Sequence, residues 1–244
     1  MEKCMNYNLN RFYHGLQELD INLSEDQIKQ FLIYYEMLIE KNKVMNLTAI
    51  TEFDEVVEKH FLDSLSLVEV ADLHKSQKVL DLGTGAGFPG IPLKIAFPEL
   101  EITLMDSLNK RILFLQDVID ELSLENVEAV HGRAEEAARN KNYREQFDLC
   151  LSRAVANIST LSEYCLPFVK VGGVFISYKS SNIDKELDQG KKGIYLLGGK
   201  VSDVHKFSLP DSDLQRSFVV IQKEKKTPKA YPRKAGMPSK DPLH

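Results

Sequence analysis

Lys78-Val79-Leu80-Asp81-Leu82-Gly83-Thr84-Gly85-Ala86-Gly87-Phe88-Pro89-Gly90 is the stretch on which the fold of this 244-residue chain turns. Its first five residues read as an apolar strand, and glycines at alternate positions follow at once. Glycines there permit a tight turn and let a ligand touch bare backbone, while the helix they lead into presents unpaired N–H groups. Pro89 suits the first turn of that helix. A purely structural turn does not need three glycines at alternate positions.

Downstream of this loop, strands and helices alternate, the pattern of a parallel sheet covered on both faces. Strands are expected at 78–82, 101–106, 127–131, 147–152 and 174–178. Helices are expected from the glycine loop to Phe97, through Leu108, Ile112, Leu115, Ile119 and Leu122, over Ile158 to Val169, and near Lys185 to Leu196. The Gly172-Gly173 pair reads as the turn into the fifth strand. Two last strands, 200–207 and 217–223, have no helical pattern between them and are expected to pair as an antiparallel hairpin. Five βα units closed by such a hairpin are the inventory of an α/β, Rossmann-like class I methyltransferase fold.

Upstream, the chain reads as helical. Ser24 with Gln27 resembles a capping box, ahead of Ile28, Phe31, Leu32, Tyr35, Leu38 and Ile39 at helical spacing. Thr51 is the expected cap of another helix carrying Val56, Val57, Phe61, Leu62, Leu65 and Val68. A polar stretch at Asp72 to Gln77 marks a boundary. The expected organisation is an N-terminal helical extension (1–75), a Rossmann-like core (76–226) and a basic, Pro-rich tail (227–244).

Two ligands compete for the glycine loop. From Gly85 it matches the dinucleotide pattern G-x-G-x-x-G. From Asp81 it matches the acidic-x-Gly-x-Gly-x-Gly pattern of S-adenosylmethionine enzymes, in which the carboxylate orders the loop near the methionine ammonium. Context favours S-adenosylmethionine, because Asp81 precedes the glycines, the closing strands form a hairpin, and no second domain exists to hold a dehydrogenase substrate. The rival readings are an NAD(P)-dependent dehydrogenase and a non-catalytic RNA-binding assembly factor.

Asp106 ends the second strand, where a carboxylate can take hydrogen bonds from both ribose hydroxyls. In this fold the loop after the third strand borders the adenine, which makes Ala134 and Glu135 candidates there. Arg153 stands at the end of the fourth strand, in Ser152-Arg153-Ala154-Val155, and suits a cofactor carboxylate or a phosphate. The Asn/Asp-Pro-Pro-aromatic run common in exocyclic-amine methyltransferases is absent there. Cys150 has no preceding proline and reads as core, not as a nucleophile.

Bulk composition sets the setting. No stretch approaches the ~20 apolar residues of a membrane span. Three cysteines in no metal or redox spacing point to a reduced, cytoplasmic environment, with no metal site. The formal net charge of −5 is uneven: residues 1–75 carry 7 basic and 14 acidic side chains, residues 222–244 carry 7 and 2. A basic end on an acidic body attracts phosphate locally.

The loop GTGAGFPGIP (83–92), DSLNKR (106–111) and SRAV (152–155) resemble the RsmG family, also called glucose-inhibited division protein B. NLTAI (46–50), KHFLDSL (59–65) and YPRKAGMPSK (231–240) extend the resemblance over essentially the whole chain, outside the generic cofactor core. It implies methyl transfer from S-adenosylmethionine to N7 of a guanine (position 527 in the usual rRNA numbering) in bacterial 16S rRNA, on RNA or the small ribosomal subunit. It also implies cofactor contacts at Gly83, Phe88, Ala134, Glu135 and Arg153, to which the loop reading adds Gly85 and Asp106. Rim candidates are His60, Lys110, Arg111, Lys179, Tyr231, Arg233, Lys234 and Lys240; His60, Lys179, Arg233, Lys234 and Lys240 are the expected RNA contacts. Four prolines and Gly236 exclude a helix from the tail and suggest an extended, docked strip.

Overall fold

The computed structural model describes residues 7–153 and 156–243. Ahead of the sheet lie α1 (Asn10–Glu18) and α2 (Glu25–Met45). The capping box forms: Ser24 Oγ accepts from Gln27 N (3.2 Å) and Gln27 Oε1 accepts from Ser24 N (2.8 Å). Next come α3 (Phe53–Val56), a π-helical turn (Val57–Leu62), α4 (Asp63–Leu65) and a 3-10 turn (Ser66–Glu69). Thr51 is not the cap: α3 starts from Glu52, and the Thr51 carbonyl instead accepts from the Tyr35 hydroxyl (2.8 Å), which holds it outside the helix.

The sheet then runs β1 (Lys78–Leu82), α5 (Gly90–Ala96), β2 (Glu101–Asp106), α6 (Asn109–Glu121), β3 (Val127–His131), α7 (Ala134–Ala137), β4 (Phe147–Arg153), α8 (Ile158–Cys165) and β5 (Val169–Ser180). It closes with α9 (Asp184–Leu196), β6 (Gly199–Ser208), β7 (Gln215–Lys223) and α10 (Met237–Lys240). Strand order is β3-β2-β1-β4-β5-β7-β6, with β1 to β5 parallel and β7 antiparallel to both of its neighbours. The closing hairpin is therefore present, and its second strand, β7, is the one inserted beside β5.

Three details differ from the sequence reading. Gly172-Gly173 lies inside β5, beside a register shift between Phe147 and Leu149 of β4, so the pair is absorbed as an irregularity and not a turn. The α8 helix ends at Cys165 and tightens into a 3-10 turn around Pro167, which cannot continue an α-helical ladder. The tail contains the one-turn α10, with Pro238 in its first turn where a missing N–H costs nothing.

Apolar residues form one cluster on each face of the sheet. One joins Phe12, Phe31, Tyr34, Phe61 and Phe88 to Ile91, Leu104 and Leu115, so the N-terminal helices share a core with the glycine loop, α5 and α6. The other joins Cys150, Cys165, Phe168, Phe175, Ile194 and Val219. Cys150 is completely buried, as its core reading requires. Gln27, the capping residue, also donates from Nε2 to the Ile95 (2.7 Å) and Ala96 (3.2 Å) carbonyls, which ties α2 to the end of α5.

Candidate functional site

A cavity of roughly 610 Å³ opens at the carboxyl ends of β1, β2, β3 and β4. In an open α/β sheet this edge is where ligands bind, because strand ends and helix starts converge there. Its walls include Gly83, Gly85, Phe88, Asp106, Ala134, Glu135 and Arg153, together with His60.

The loop is held from below. Gly83 N and Thr84 N both donate to the Met105 carbonyl (2.8 and 3.2 Å). Fully buried Asp81 accepts on Oδ2 from the Thr84 hydroxyl (2.6 Å) and Gly90 N (2.8 Å). Its other oxygen, Oδ1, is buried with no hydrogen-bond partner among the described residues. Burial pushes this carboxyl up to about 6, against the Thr84 and Gly90 hydrogen bonds and the Arg153 charge, with Asp106 adding repulsion.

Two of the glycines do different work. Gly85 has φ +63°, and a Cβ there would meet nothing within 4 Å, so its bare backbone faces open space. Gly87 has φ +107°, and its Cβ would sit 2.6 Å from Ile91 Cγ1 and 2.9 Å from both Leu115 Cδ2 and the Tyr34 hydroxyl. The first keeps the cavity open; the second lets the loop lie flat on the core. Tyr34, buried in α2, donates its hydroxyl to the Ala86 carbonyl (2.6 Å). The peptide bond preceding Pro89 is cis.

Asp106 accepts on Oδ2 from Gly85 N (3.0 Å) and Arg111 Nη1 (3.1 Å), and on Oδ1 from Leu108 N (2.9 Å). The same carboxylate thus links the glycine loop to the start of α6. Glu135 accepts on Oε1 from Gly236 N (2.8 Å), a residue of the tail. Gly236 and Ser239 line the cavity beside Leu161 and Tyr164 of α8.

Arg153 is anchored on one side. Nη1 donates to Asp63 Oδ2 (2.7 Å) and the Lys59 carbonyl (3.0 Å), and the guanidinium lies 5.1 Å from the Phe88 ring centroid. Asp63 takes a second arginine on Oδ1, Arg216 Nε (2.9 Å). His60 stacks on Phe88 with centroids 4.5 Å apart, its Nε2 2.9 Å from Thr48 Oγ1 and its Nδ1 3.0 Å from the Lys59 carbonyl and 3.3 Å from Arg153 Nη2. Burial, reinforced by the Arg153 charge, drives the His60 pKa down to about 3. The ring is neutral at physiological pH.

The remaining rim candidates divide. Arg111 reaches the cavity. Lys179 is turned inward, donating to Glu186 Oε1 and the Ala156 carbonyl (both 2.6 Å). Arg233 grips Glu163 and Asp241 rather than standing free. Lys110, Lys234 and Lys240 are exposed, and the Tyr231 carbonyl accepts from Arg144 (3.0 Å). Ala154 and Val155 of the SRAV motif lie outside the described residues.

Leu47, Thr48, Tyr34 and Asp63, which wall or brace the cavity, had no chemistry assigned from sequence. The signal for Leu47, Thr48 and Asp63 lies in NLTAI and KHFLDSL, motifs at 46–50 and 59–65 that no cofactor pattern accounts for, whereas Tyr34 reads only as one more aromatic residue of a helix.

Among solved structures the chain resembles Aeropyrum pernix fibrillarin with bound S-adenosyl-L-methionine (TM-score 0.50, 13% identity, 62% of this chain and 68% of that one). It also resembles Methanococcus jannaschii TYW2 in complex with AdoMet (TM-score 0.52, 16% identity, 71% and 77%). At these identities the likeness shows the fold alone, the class I methyltransferase fold with helices added at the N-terminus. By sequence, the chain is 55% identical over 232 residues to the ribosomal RNA small subunit methyltransferase G of Lachnoclostridium phytofermentans, covering 95% of this chain and 96% of that protein. The protein of the same name from Oceanobacillus iheyensis is 51% identical over 233 residues (96% and 98%). The GidB family model, described as rRNA small subunit methyltransferase G, matches residues 27–218, and the chain belongs to that family.

Proposed function

We propose that this chain transfers a methyl group from S-adenosylmethionine to N7 of a guanine in bacterial 16S rRNA, on the small ribosomal subunit or its RNA, in the cytoplasm. One observation carries the reading in a chain of this family: the bare backbone of Gly85 faces an open cavity walled by Asp106, Ala134, Glu135 and Arg153. The residues suit such a ligand. Gly83 and Gly85 offer close backbone approach, Asp106 a carboxylate for ribose hydroxyls, and Ala134 with Glu135 an adenine edge. Arg153 Nε and part of Nη2 carry N–H groups for a carboxylate. The orphaned Asp81 Oδ1 beneath the loop is a buried acceptor that favours a cation nearby.

When bound, S-adenosylmethionine supplies an electrophilic sulfonium methyl. The chain's own part is placement. Asp63 and the Lys59 carbonyl fix one edge of Arg153, and Phe88 backs its face, so the guanidinium is preorganised. His60, with a pKa near 3, is a poor proton acceptor at neutral pH. A ring nitrogen such as guanine N7 attacks through an available lone pair and needs no base, whereas an exocyclic amine must shed a proton. The weakly basic His60 therefore offers an amine little help as a base, and a ring-nitrogen nucleophile needs none.

The test is transfer of labelled methyl to unmodified small subunits and to 16S RNA, with the modified nucleotide mapped. Calorimetry with S-adenosylmethionine and NAD runs alongside. Binding of NAD, or methylation at another atom, would overturn the respective part of the proposal.

A further inference from the structure

By sequence the tail reads as a basic strip outside the cofactor loop, its cations free for phosphate. Its geometry is different. Arg233 donates from N (2.7 Å) and Nε (3.0 Å) to Glu163 Oε1, and from Nη2 (2.8 Å) to Oε2. The Glu163 side chain is completely buried, so the arginine is what compensates that charge. Arg233 also bonds the Asp241 carbonyl (2.6 Å), Arg139 Nη2 donates to the Pro232 carbonyl (2.6 Å), and buried Thr160 Oγ1 donates to the Pro238 carbonyl (3.0 Å). These clasps deliver Gly236 N to Glu135 Oε1 and set Gly236 and Ser239 in the cavity wall. Gly236 has φ +81°, and a Cβ there would meet nothing within 4 Å.

We infer that residues 232–241 form a wall of the cofactor cavity that positions Glu135, so that strap closure and ligand binding are coupled. The inference rests on reading the cavity as the S-adenosylmethionine site. The only hydrogen bond to the Glu135 carboxylate among the described residues comes from the strap, and the carboxylate loses its fixed orientation when the strap lifts. Coupling is reciprocal: a ligand held by the closed wall must in turn hold the wall shut. Lys234 and Lys240 ride on the same segment, so their placement for RNA depends on the same closure.

Limited trypsin digestion of the full chain, read by mass spectrometry with and without saturating S-adenosylhomocysteine, tests this directly. The ligand slows cleavage after Lys234 by at least about fivefold, the lower end of ordinary coupling. Cleavage after Lys75, in the exposed turn before β1 at the opposite edge of the sheet, is unchanged. A second measurement uses E163Q/R233M, which unclasps the strap without leaving a buried charge. Its Kd for S-adenosylhomocysteine rises about tenfold or more, and R233K alone, which keeps the ion pair, falls between it and the parent. Equal cleavage after Lys234 in a protein that binds the ligand overturns the inference, as does a folded E163Q/R233M with unaltered Kd. If E163Q/R233M fails to fold, the digestion decides. A parent protein that binds no S-adenosylhomocysteine overturns the cofactor reading itself.

Discussion

Replacing Asp81 by asparagine separates stability from ligand binding. Burial raises this carboxyl from 3.8 to about 6. The folded pKa lies above the unfolded one, so the charged form penalises folding. The penalty is absent below the unfolded value, grows as pH rises, and is complete above about 6. Roughly two units at 1.36 kcal/mol each give a full penalty of about 3 kcal/mol, and about half of it has gone by pH 5. Asparagine can still accept from Thr84 and Gly90 on one oxygen, but it puts an unpaired amide where Oδ1 is already orphaned, at about 1–3 kcal/mol. At pH 8 the ligand-free D81N protein is therefore as stable as the parent or up to about 2 kcal/mol more so. At roughly 2–4 °C per kcal/mol, that is a melting temperature raised by up to about 8 °C. The stability of D81N relative to the parent falls by about 1.5 kcal/mol, roughly 3–6 °C, when both are melted at pH 5, because the parent has shed that much of its penalty. Affinity for S-adenosylmethionine moves the opposite way, about tenfold weaker, because the buried carboxylate no longer favours a cation. Calorimetric melts at pH 5 and 8 with matched titrations measure both quantities. A melting-temperature difference independent of pH refutes the titration of Asp81; unchanged affinity refutes its electrostatic role.

A folded Gly85→Val protein loses S-adenosylmethionine binding, measured by calorimetry, because the new side chain enters the cavity from a backbone that L-residues rarely adopt. Arg153→Ala lowers turnover by about tenfold or more with its circular dichroism unaltered, since Asp63 keeps Arg216 as a partner; near-normal turnover makes Arg153 only a structural cation. The rate at saturating substrates shows no His60 ionisation between about pH 7 and 8.5, and a limb there that vanishes in His60→Phe contradicts a pKa near 3. Lys234→Ala with Lys240→Ala flattens the slope of log affinity for RNA against log salt by about one to two units, and adding Arg233→Ala flattens it no further because that charge is neutralised within the protein.

The strands, the capping box and the glycine loop were legible because each is a local pattern: alternation, a four-residue box, glycines after an apolar run. Gly83, Gly85, Asp106, Ala134, Glu135 and Arg153 follow strand ends by the same logic, Phe88 comes from the family resemblance alone, and the cavity gathers all seven. What escaped was set by partners far along the chain. Arg233 reads as a free cation because Glu163, 70 residues earlier, looks like an ordinary surface acid in α8. Asp63 meets Arg153 across 90 residues and Arg216 across 153, and no spacing rule links them. Thr51 has the residue type of a cap, yet the Tyr35 hydroxyl holds its carbonyl and the helix begins later. The prolines of the tail read as helix breakers by residue type, yet Pro238 falls where a helix tolerates it.

The hydroxyl that Tyr34 offers to Ala86 has a consequence for how this fold can be modified. A cofactor loop braced by its own βα unit is portable, and any appendage can be grafted beside it. Here the brace comes from α2, 52 residues upstream, and Gln27 adds a second tie to α5. Grafting another helical cap onto this sheet would leave the Ala86 carbonyl buried without a donor, at about 1–3 kcal/mol, and would remove the hydroxyl against which Gly87 lies. The N-terminal helices are thus not an exchangeable attachment to a standard engine, and a chimera works only if the tyrosine travels with the loop it supports.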